Sequence, residues 1–124
     1  MRIDVTVLAV GIPARSDGAA TILKMAGEPL DPGQAKTRLN ECVRDGSIRE
    51  STHFLQRLEQ RGMTMQNVYQ VCRSGSIKTP PELHARSGDW NYRIEGMTTN
   101  LTYLKVIFAF DRHGRAVFVS VFYE

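Results

Sequence analysis

The amino-acid sequence predicts an α+β fold in which three short helices pack on a curved antiparallel sheet. Three observations support this prediction. Apolar residues recur at helical spacing in the middle third of the chain, apolar and polar residues alternate in the last third, and eight of the ten aromatic residues lie between Trp90 and Tyr123. Helices followed along the chain by consecutive antiparallel strands are typical of the α+β class. A length of 124 residues fits one domain, with or without a tail.

The first residues are predicted to form a strand and an extension ahead of the main domain. Residues 3–10 are rich in β-branched side chains and alternate, which indicates a strand, and the Gly-Ile-Pro of residues 11–13 ends it. Residues 14–32 show no clear pattern. We therefore divide the chain into an N-terminal strand and extension, residues 1–32, and a main domain, residues 33–124.

Three segments of the main domain space their apolar residues three or four positions apart, as a helix buried on one face does. Gly46 follows the first segment, Ser51 or Thr52 precedes the second, and Thr64 precedes the third, and these residue types commonly bound helices. The predicted helices cover residues 34–44, 52–61 and 65–73.

The last third of the chain is predicted to form three consecutive antiparallel strands. Residues 90–95 alternate, residues 101–110 form a long apolar run, and residues 115–123 form another. The Asp-Arg-His-Gly of residues 111–114 is typical of a hairpin turn, so the last two strands should pair directly.

The charge of the chain is carried mostly by arginine. The formal net charge is +3, from 16 basic and 13 acidic residues, and twelve of the basic residues are arginine. The guanidinium group is a planar fork that suits phosphate and carboxylate. Residues 33–78 hold eight basic and four acidic side chains, so the excess lies in the helical part. This distribution favours an anionic partner, although a genome rich in G and C also favours arginine codons.

Cysteine usage and hydropathy indicate a cytoplasmic protein. Cys42 and Cys72 are separated by 30 positions and lie on predicted apolar helix faces, which favours two reduced, buried thiols. The apolar run of residues 5–10 is too short to span a bilayer and lacks the positive flank of a signal peptide. We therefore expect no membrane association.

His53, Arg57 and Arg61 recur every fourth residue on the second predicted helix, within an arc of about 80°. Arginine binds phosphate oxygens in pairs, and histidine is the side chain best suited to transfer a proton near neutral pH. This stripe is therefore a candidate phosphate cradle at the edge where the helix meets the sheet. The alternative is that the arginines are solvated helix charges and His53 is a boundary residue.

Two further groups lie on the predicted strands. Tyr103 and Lys105 share the more polar face of the middle strand and should face solvent or a cleft; Lys105 either protects the strand against aggregation or binds an anion. Trp90, Tyr92 and Arg93 combine aromatic rings with a guanidinium, as sites that stack unpaired RNA bases do. For Trp90 the alternative is structural packing.

Metal and nucleotide-cofactor chemistry is not indicated. His53, His84 and His113 are not spaced with cysteine or carboxylate as metal sites require, and the chain has neither a Walker loop nor a GxGxxG motif. We expect no metal and no cofactor.

The helical motif resembles that of a small bacterial domain family of uncharacterised function. The shared pattern is a histidine, an arginine four positions on and an Arg-Gly pair eight and nine positions on, here His53, Arg57, Arg61 and Gly62. The similarity continues through residues 90–96 and the last two strands, and covers about residues 34–124. That family is thought to adopt a RelE-like fold, which the resemblance implies for this chain.

A second, weaker resemblance is to the motility quorum-sensing regulator toxin, a RelE-like ribonuclease. Residues 42–49 and the Tyr-Leu-Lys of residues 103–105 carry it. In that type of toxin a tyrosine and lysines on the sheet face assist RNA cleavage, and Tyr103 matches the tyrosine. The Ser-Phe-Lys at the C-terminus of such toxins has no counterpart, because residues 120–123 read Ser-Val-Phe-Tyr.

The resemblances imply a metal-independent endoribonuclease, a toxin of a toxin–antitoxin or polymorphic toxin system. The RNA 2′-hydroxyl would attack the adjacent phosphate. His53 would be the acid or base, Arg57 and Arg61 would bind phosphate, Lys105 would stabilise charge and Tyr103 would assist. The implied partners are RNA and a cognate antitoxin or immunity protein. Two alternatives remain: a non-catalytic RelE-like module that binds RNA or protein, and a structural domain whose arginines only form salt bridges.

Overall fold

The computed structural model describes residues 27–123 and confirms the α+β class. The predicted strand at residues 3–10 lies outside the described residues. Each predicted helix is present, with its ends within two residues of the expected positions. The elements within residues 27–123 are α1 (Pro32–Asp45), β1 (Ile48–Glu50), α2 (Thr52–Gln60), α3 (Met65–Ser74), β2 (Glu82–His84), β3 (Asp89–Met97), β4 (Tyr103–Phe110) and β5 (Ala116–Tyr123).

The five strands form one sheet in the order β1-β5-β4-β3-β2. The predicted antiparallel meander is its centre, with β3 paired to β4 and β4 to β5. The structure adds a three-residue strand at each edge: β2 pairs antiparallel with β3, whereas β1 pairs parallel with β5, so the sheet is mixed. Three residues are too few to establish an alternating pattern, which explains why neither edge strand was predicted.

Capping side chains fix where the helices begin. Asp31 and Thr64 form capping boxes with Gln34 and Asn67, and Ser51 accepts a hydrogen bond from the backbone of α2. Ser51 rather than Thr52 is thus the N-cap residue of α2. At the other end of α1, Gly46 adopts a φ of 77°, the left-handed conformation that glycine readily takes.

The helices cover one face of the sheet, and the core lies between the two layers. Leu104, Val106 and Phe108 of β4 are fully buried on this face. From α2, the ring of Phe54 stacks on that of Phe118 in β5, with the ring centroids 5.2 Å apart. The opposite side of the sheet, which we call the far face, carries the residues that alternate with the buried ones, including Tyr103 and Lys105 of β4.

Both cysteines are free and buried in the helical layer, as predicted. Cys42 lies on α1 and Cys72 on α3, and both belong to the core. Burial raises the pKa of the Cys72 thiol to about 12, so the thiol stays protonated and unreactive at neutral pH.

Gly75 and Gly96 allow the end of α3 to lie directly against β3. A Cβ atom at Gly75 would be 2.6 Å from the carbonyl oxygens of Val71 and Glu95. Both oxygens belong to the backbone, so neither can move aside easily. The close approach also lets Ser76 and Glu95 exchange two backbone hydrogen bonds, at 2.9 and 3.0 Å.

We expect Gly75→Ala to lower the free energy of unfolding by about 1–3 kcal/mol, because the methyl group forces α3 away from β3. Gly33→Ala is the matched control: a Cβ at Gly33 would meet only Asp31 Oδ1, at an ordinary 3.5 Å, and alanine favours the helix. Urea unfolding checks both variants. Equal stability of the two would contradict the close packing at Gly75.

Candidate functional site

The predicted histidine and arginine stripe lies on the helical side of the sheet. His53 is exposed in the first turn of α2, Arg57 is half-buried, and Arg61 caps the C-terminal end of the helix. The Arg61 guanidinium carbon lies 5.0 Å from the centroid of the Tyr123 ring. Tyr123 pairs in register with the buried Leu104, so this contact is made on the side that faces the helices.

Tyr103 and Lys105 lie on the far face, where both are half-buried. They alternate with the fully buried Leu104 and Val106, so the sheet stands between them and the Arg61 guanidinium. The structure therefore does not bring the five predicted catalytic side chains into one cleft. It places them in two groups, one on each side of the sheet.

On the far face, Tyr103 is the centre of a chain of polar contacts. Lys78 Nζ donates a hydrogen bond to the Tyr103 hydroxyl at 3.0 Å, and this hydroxyl donates to Glu95 Oε1 at 2.9 Å. The second carboxylate oxygen, Oε2, lies 3.3 Å from Arg93 Nε, an ion pair whose geometry is not that of a hydrogen bond. Lys105 is the cross-strand partner of Glu95. We call these residues the sheet-face cluster: Lys78, Arg93, Glu95, Tyr103 and Lys105.

The strand register explains why these side chains meet. Glu95 pairs with Lys105, and Met97 pairs with Tyr103, so Tyr103 is the diagonal neighbour of Glu95 on the same face. Lys78 reaches the group because the chain after α3 runs beside β3, held by the backbone pairing of Ser76 with Glu95. Backbone geometry therefore places an acid, a hydroxyl and three cationic side chains together.

The buried carboxylate sets the electrostatics of the cluster. Glu95 is only 7% exposed, and a buried charge is unfavourable unless it is paired and hydrogen-bonded. Arg93 and Tyr103 supply that compensation. The hydrogen bond that Lys78 donates to Tyr103 raises the pKa of the Lys78 ammonium, which stays cationic at neutral pH. The cluster therefore combines a proton acceptor, a polarised hydroxyl and fixed positive charge.

The sequence did not predict Glu95 or Lys78 as site residues. Glu95 could have been predicted from the sequence, because counting residues back from the β3–β4 loop places it on the same sheet face as Tyr103 and Lys105. Lys78 could not have been, because it follows α3 in an irregular segment whose path depends on tertiary packing.

The three side chains predicted to bind RNA do not form one patch. Tyr92 is 5% exposed, stacks on Phe108, and its hydroxyl accepts the backbone N–H of Leu30, so it belongs to the core. Trp90 is half-buried and donates its indole N–H to the carbonyl of Gly27. Arg93 lies on the far face beside Glu95.

Trp90 and Tyr92 instead line a cavity of about 800 Å³ at one end of the domain. The β2–β3 turn and the β4–β5 hairpin form its walls, and Arg38 of α1 closes it with a guanidinium 5.4 Å from the Phe110 ring centroid. This cavity surrounds the start of β3 and the end of β4, whereas the pairs Glu95–Lys105 and Met97–Tyr103 lie toward the other end of these two strands.

Within residues 27–123, no three histidine, cysteine, aspartate or glutamate side chains gather as metal ligands would. None of the helices in this range has both the length and the apolar character needed to cross a bilayer.

A family model described as a domain of unknown function (DUF4258) matches residues 51–123. The match covers α2, α3 and strands β2 to β5, and so includes the stripe and the whole sheet-face cluster. No curated protein matches the chain, and no solved structure matches it.

Proposed function

The chain belongs to this family of unknown function, and from the chemistry of its candidate site we propose that the sheet-face cluster cleaves RNA. The observation that carries the proposal is the continuous set of contacts from Lys78 through Tyr103 to Glu95 and Arg93. In RNA the 2′-hydroxyl is placed to attack the adjacent phosphate. The protein must then accept one proton, donate another and stabilise the charge of the phosphorane.

Glu95 and Tyr103 complete such a proton cycle. The Glu95 carboxylate accepts the proton of the attacking 2′-hydroxyl, and the Tyr103 hydroxyl gives its proton to the leaving 5′-oxygen. The existing 2.9 Å hydrogen bond then returns a proton from Glu95 to the tyrosinate. Both groups recover their starting states. The products are a 2′,3′-cyclic phosphate and a free 5′-hydroxyl.

Three cations of the cluster would lie close to a phosphate bound beside Tyr103 and Glu95. Lys78 contacts Tyr103, Arg93 contacts Glu95, and Lys105 pairs with Glu95 across the strands. Fixed positive charges next to a developing oxyanion stabilise the transition state, since they need no reorganisation during the reaction. Lys78 also stabilises the transient tyrosinate.

The biological setting that we propose is a cytoplasmic toxin held in check by a cognate antitoxin or immunity protein. Support comes from the RelE-like resemblance and from the placement of a tyrosine and a lysine on one sheet face. The competing hypothesis is a non-catalytic module that binds RNA or protein, and an RNA cleavage experiment distinguishes it from a ribonuclease.

The test is incubation of the purified chain with single-stranded RNA, followed by analysis of the fragment ends. We expect 2′,3′-cyclic phosphate and 5′-hydroxyl ends, and no cleavage where the attacking ribose is replaced by 2′-deoxyribose. Tyr103→Phe removes the proton donor and should lower the cleavage rate about a hundredfold or more.

Tyr69→Phe is the matched control for that change. Tyr69 lies on α3, outside the cluster, and its hydroxyl makes no hydrogen bond with any residue in the described part of the chain. Cleavage should therefore keep the wild-type rate. RNA binding without cleavage by the wild-type chain would favour the non-catalytic module and overturn the proposal.

A further inference from the structure

A pocket of about 330 Å³ opens at the end of the sheet where β3 turns into β4. The end of α2, the start of α3 and the loop of residues 98–102 enclose it. None of the described residues that line it is an aspartate or a glutamate, so its wall does not repel an anion. The side chains that give the pocket its chemistry are Arg61, Asn67, Thr98, Asn100, Leu101 and Tyr123.

Arg61 brings guanidinium donors to this pocket, and no residue within 27–123 accepts a hydrogen bond from them. The Arg61 guanidinium makes a cation–π contact with the Tyr123 ring. Within residues 27–123, however, Arg61 forms no ion pair, and its buried Nε donates no hydrogen bond. A shielded N–H without an acceptor is unfavourable. A ligand that supplies acceptor oxygens to this guanidinium would offset that loss.

Two asparagines add further donors. Asn67 Oδ1 accepts the backbone N–H of Thr64 at 3.1 Å, and Asn100 Oδ1 accepts the Thr98 hydroxyl at 3.0 Å. Their carbonyl oxygens are therefore occupied, while neither side-chain NH₂ group donates a hydrogen bond to any described residue. Arg61 and both amides thus offer N–H donors to the pocket, which is what an anion requires.

The loop beside the pocket holds an unusual residue at its tip. Leu101 has a φ of 63° and is 82% exposed. A leucine in this conformation is strained, and strain of this kind clusters at functional sites. Its exposed apolar side chain lies on the pocket wall, where a ribose or a base would contact it.

The pocket adjoins the sheet-face cluster. Thr102 lines it and immediately precedes Tyr103, and Thr98 lines it and follows Met97, the cross-strand partner of Tyr103. An extended RNA strand whose reacting phosphate lies at Tyr103 would therefore reach the pocket by passing over this end of the β-sheet.

We infer that the pocket binds a phosphodiester group of the same RNA strand, next to the bond that the cluster cleaves. The inference rests on the proposed function for its choice of ligand. Arg61 would then bind a phosphate of the RNA, as the sequence predicted. The RNA would reach Arg61 by passing around the end of the sheet, because Arg61 and Tyr103 do not share a cleft.

The test uses a short single-stranded 2′-O-methyl oligoribonucleotide, which binds but lacks the attacking hydroxyl. Fluorescence anisotropy should show that Arg61→Gln weakens binding about ten- to hundredfold, as expected for the loss of a charged hydrogen bond. The slope of log K against log salt concentration should fall by about 1, because one phosphate contact is lost. Arg61→Lys keeps the charge but not the planar guanidinium, so its affinity for the oligonucleotide should lie between those of the wild type and of Arg61→Gln.

Arg73→Gln is the matched control, because it removes the same charge from an exposed position near the end of α3. We expect it to change binding less than about twofold, since Arg73 does not line the pocket and exposed charges are screened by salt. With cleavable RNA, Arg61→Gln should raise KM more than it lowers kcat.

Two results would overturn the inference: equal weakening by the Arg61 and Arg73 variants, or equally strong competition by an oligoglutamate, which would make the site a general anion site. The inference and the proposed function can fail separately. Loss of binding in Arg61→Gln alone, with no cleavage by the wild-type chain, supports the phosphate pocket and rejects the ribonuclease. Cleavage with unchanged Arg61→Gln binding supports the ribonuclease and rejects the pocket.

Discussion

Glu95→Gln is expected to lower the rate of RNA cleavage by about 10²- to 10⁴-fold, the usual contribution of a positioned acid or base. Glutamine is close to glutamate in size and can still accept the hydrogen bond from Tyr103, but it cannot take up the proton of the 2′-hydroxyl. The proton cycle between the two residues is then broken at its first step. Single-turnover cleavage measures the loss directly, because product release does not enter the rate.

Glu82→Gln is the matched control for this substitution. Glu82 is exposed on β2 and, as the cross-strand partner of Asn91, lies on the same sheet face as Glu95, so the change removes one negative charge from that face without touching the cluster. The Glu82 variant should cleave RNA at the wild-type rate. Thermal unfolding of both variants shows whether each remains folded. A folded Glu95→Gln protein with wild-type activity would exclude Glu95 as the base.

Phe54→Ala is expected to lower the free energy of unfolding by about 3–5 kcal/mol, the range for truncating a buried aromatic residue. Phe54 is fully buried and stacks on Phe118, and this ring pair joins α2 to β5. Alanine removes the ring contact and leaves a cavity between helix and sheet. Because small domains are stable by only about 5–15 kcal/mol, the loss is a large part of the total.

Leu55→Ala tests whether burial is the cause. Leu55 is the next residue on the same helix and is 47% exposed, so its truncation should change stability by about 0.5 kcal/mol or less. Urea unfolding at a fixed temperature compares the two variants. Similar losses for both would contradict the placement of Phe54 in the core.

The main elements of the fold could be predicted because each repeats a local pattern long enough to recognise. Helix α2 has apolar residues at Phe54 and Leu58 with Ser51 as its cap, and β4 alternates between half-buried and buried residues from Tyr103 to Phe108. The edge strands could not be found in this way. Strand β1 has only three residues, and its parallel pairing with β5 depends on the path of the chain through α2 and α3.

The candidate site was predictable only in part, for a physical reason. Alternation along β4 placed Tyr103 and Lys105 on one face, and the structure agrees. Helical phase grouped His53 with the arginines on α2, but phase within a helix does not tell which side of the sheet the helix covers. The partners of Tyr103 come from tertiary packing: Glu95 from a neighbouring strand, and Lys78 from the segment held against it.

We propose that the acid and base of RNA cleavage lie on the far face of the sheet and not on α2. The most direct measurement is the single-turnover cleavage rate of Glu95→Gln beside that of His53→Gln, on the same RNA and at the same pH. We expect near loss of activity in the Glu95 variant and a rate close to wild type in the His53 variant, whose side chain is exposed on the helical side. Loss of activity in the His53 variant, with cleavage retained in the Glu95 variant, would contradict it.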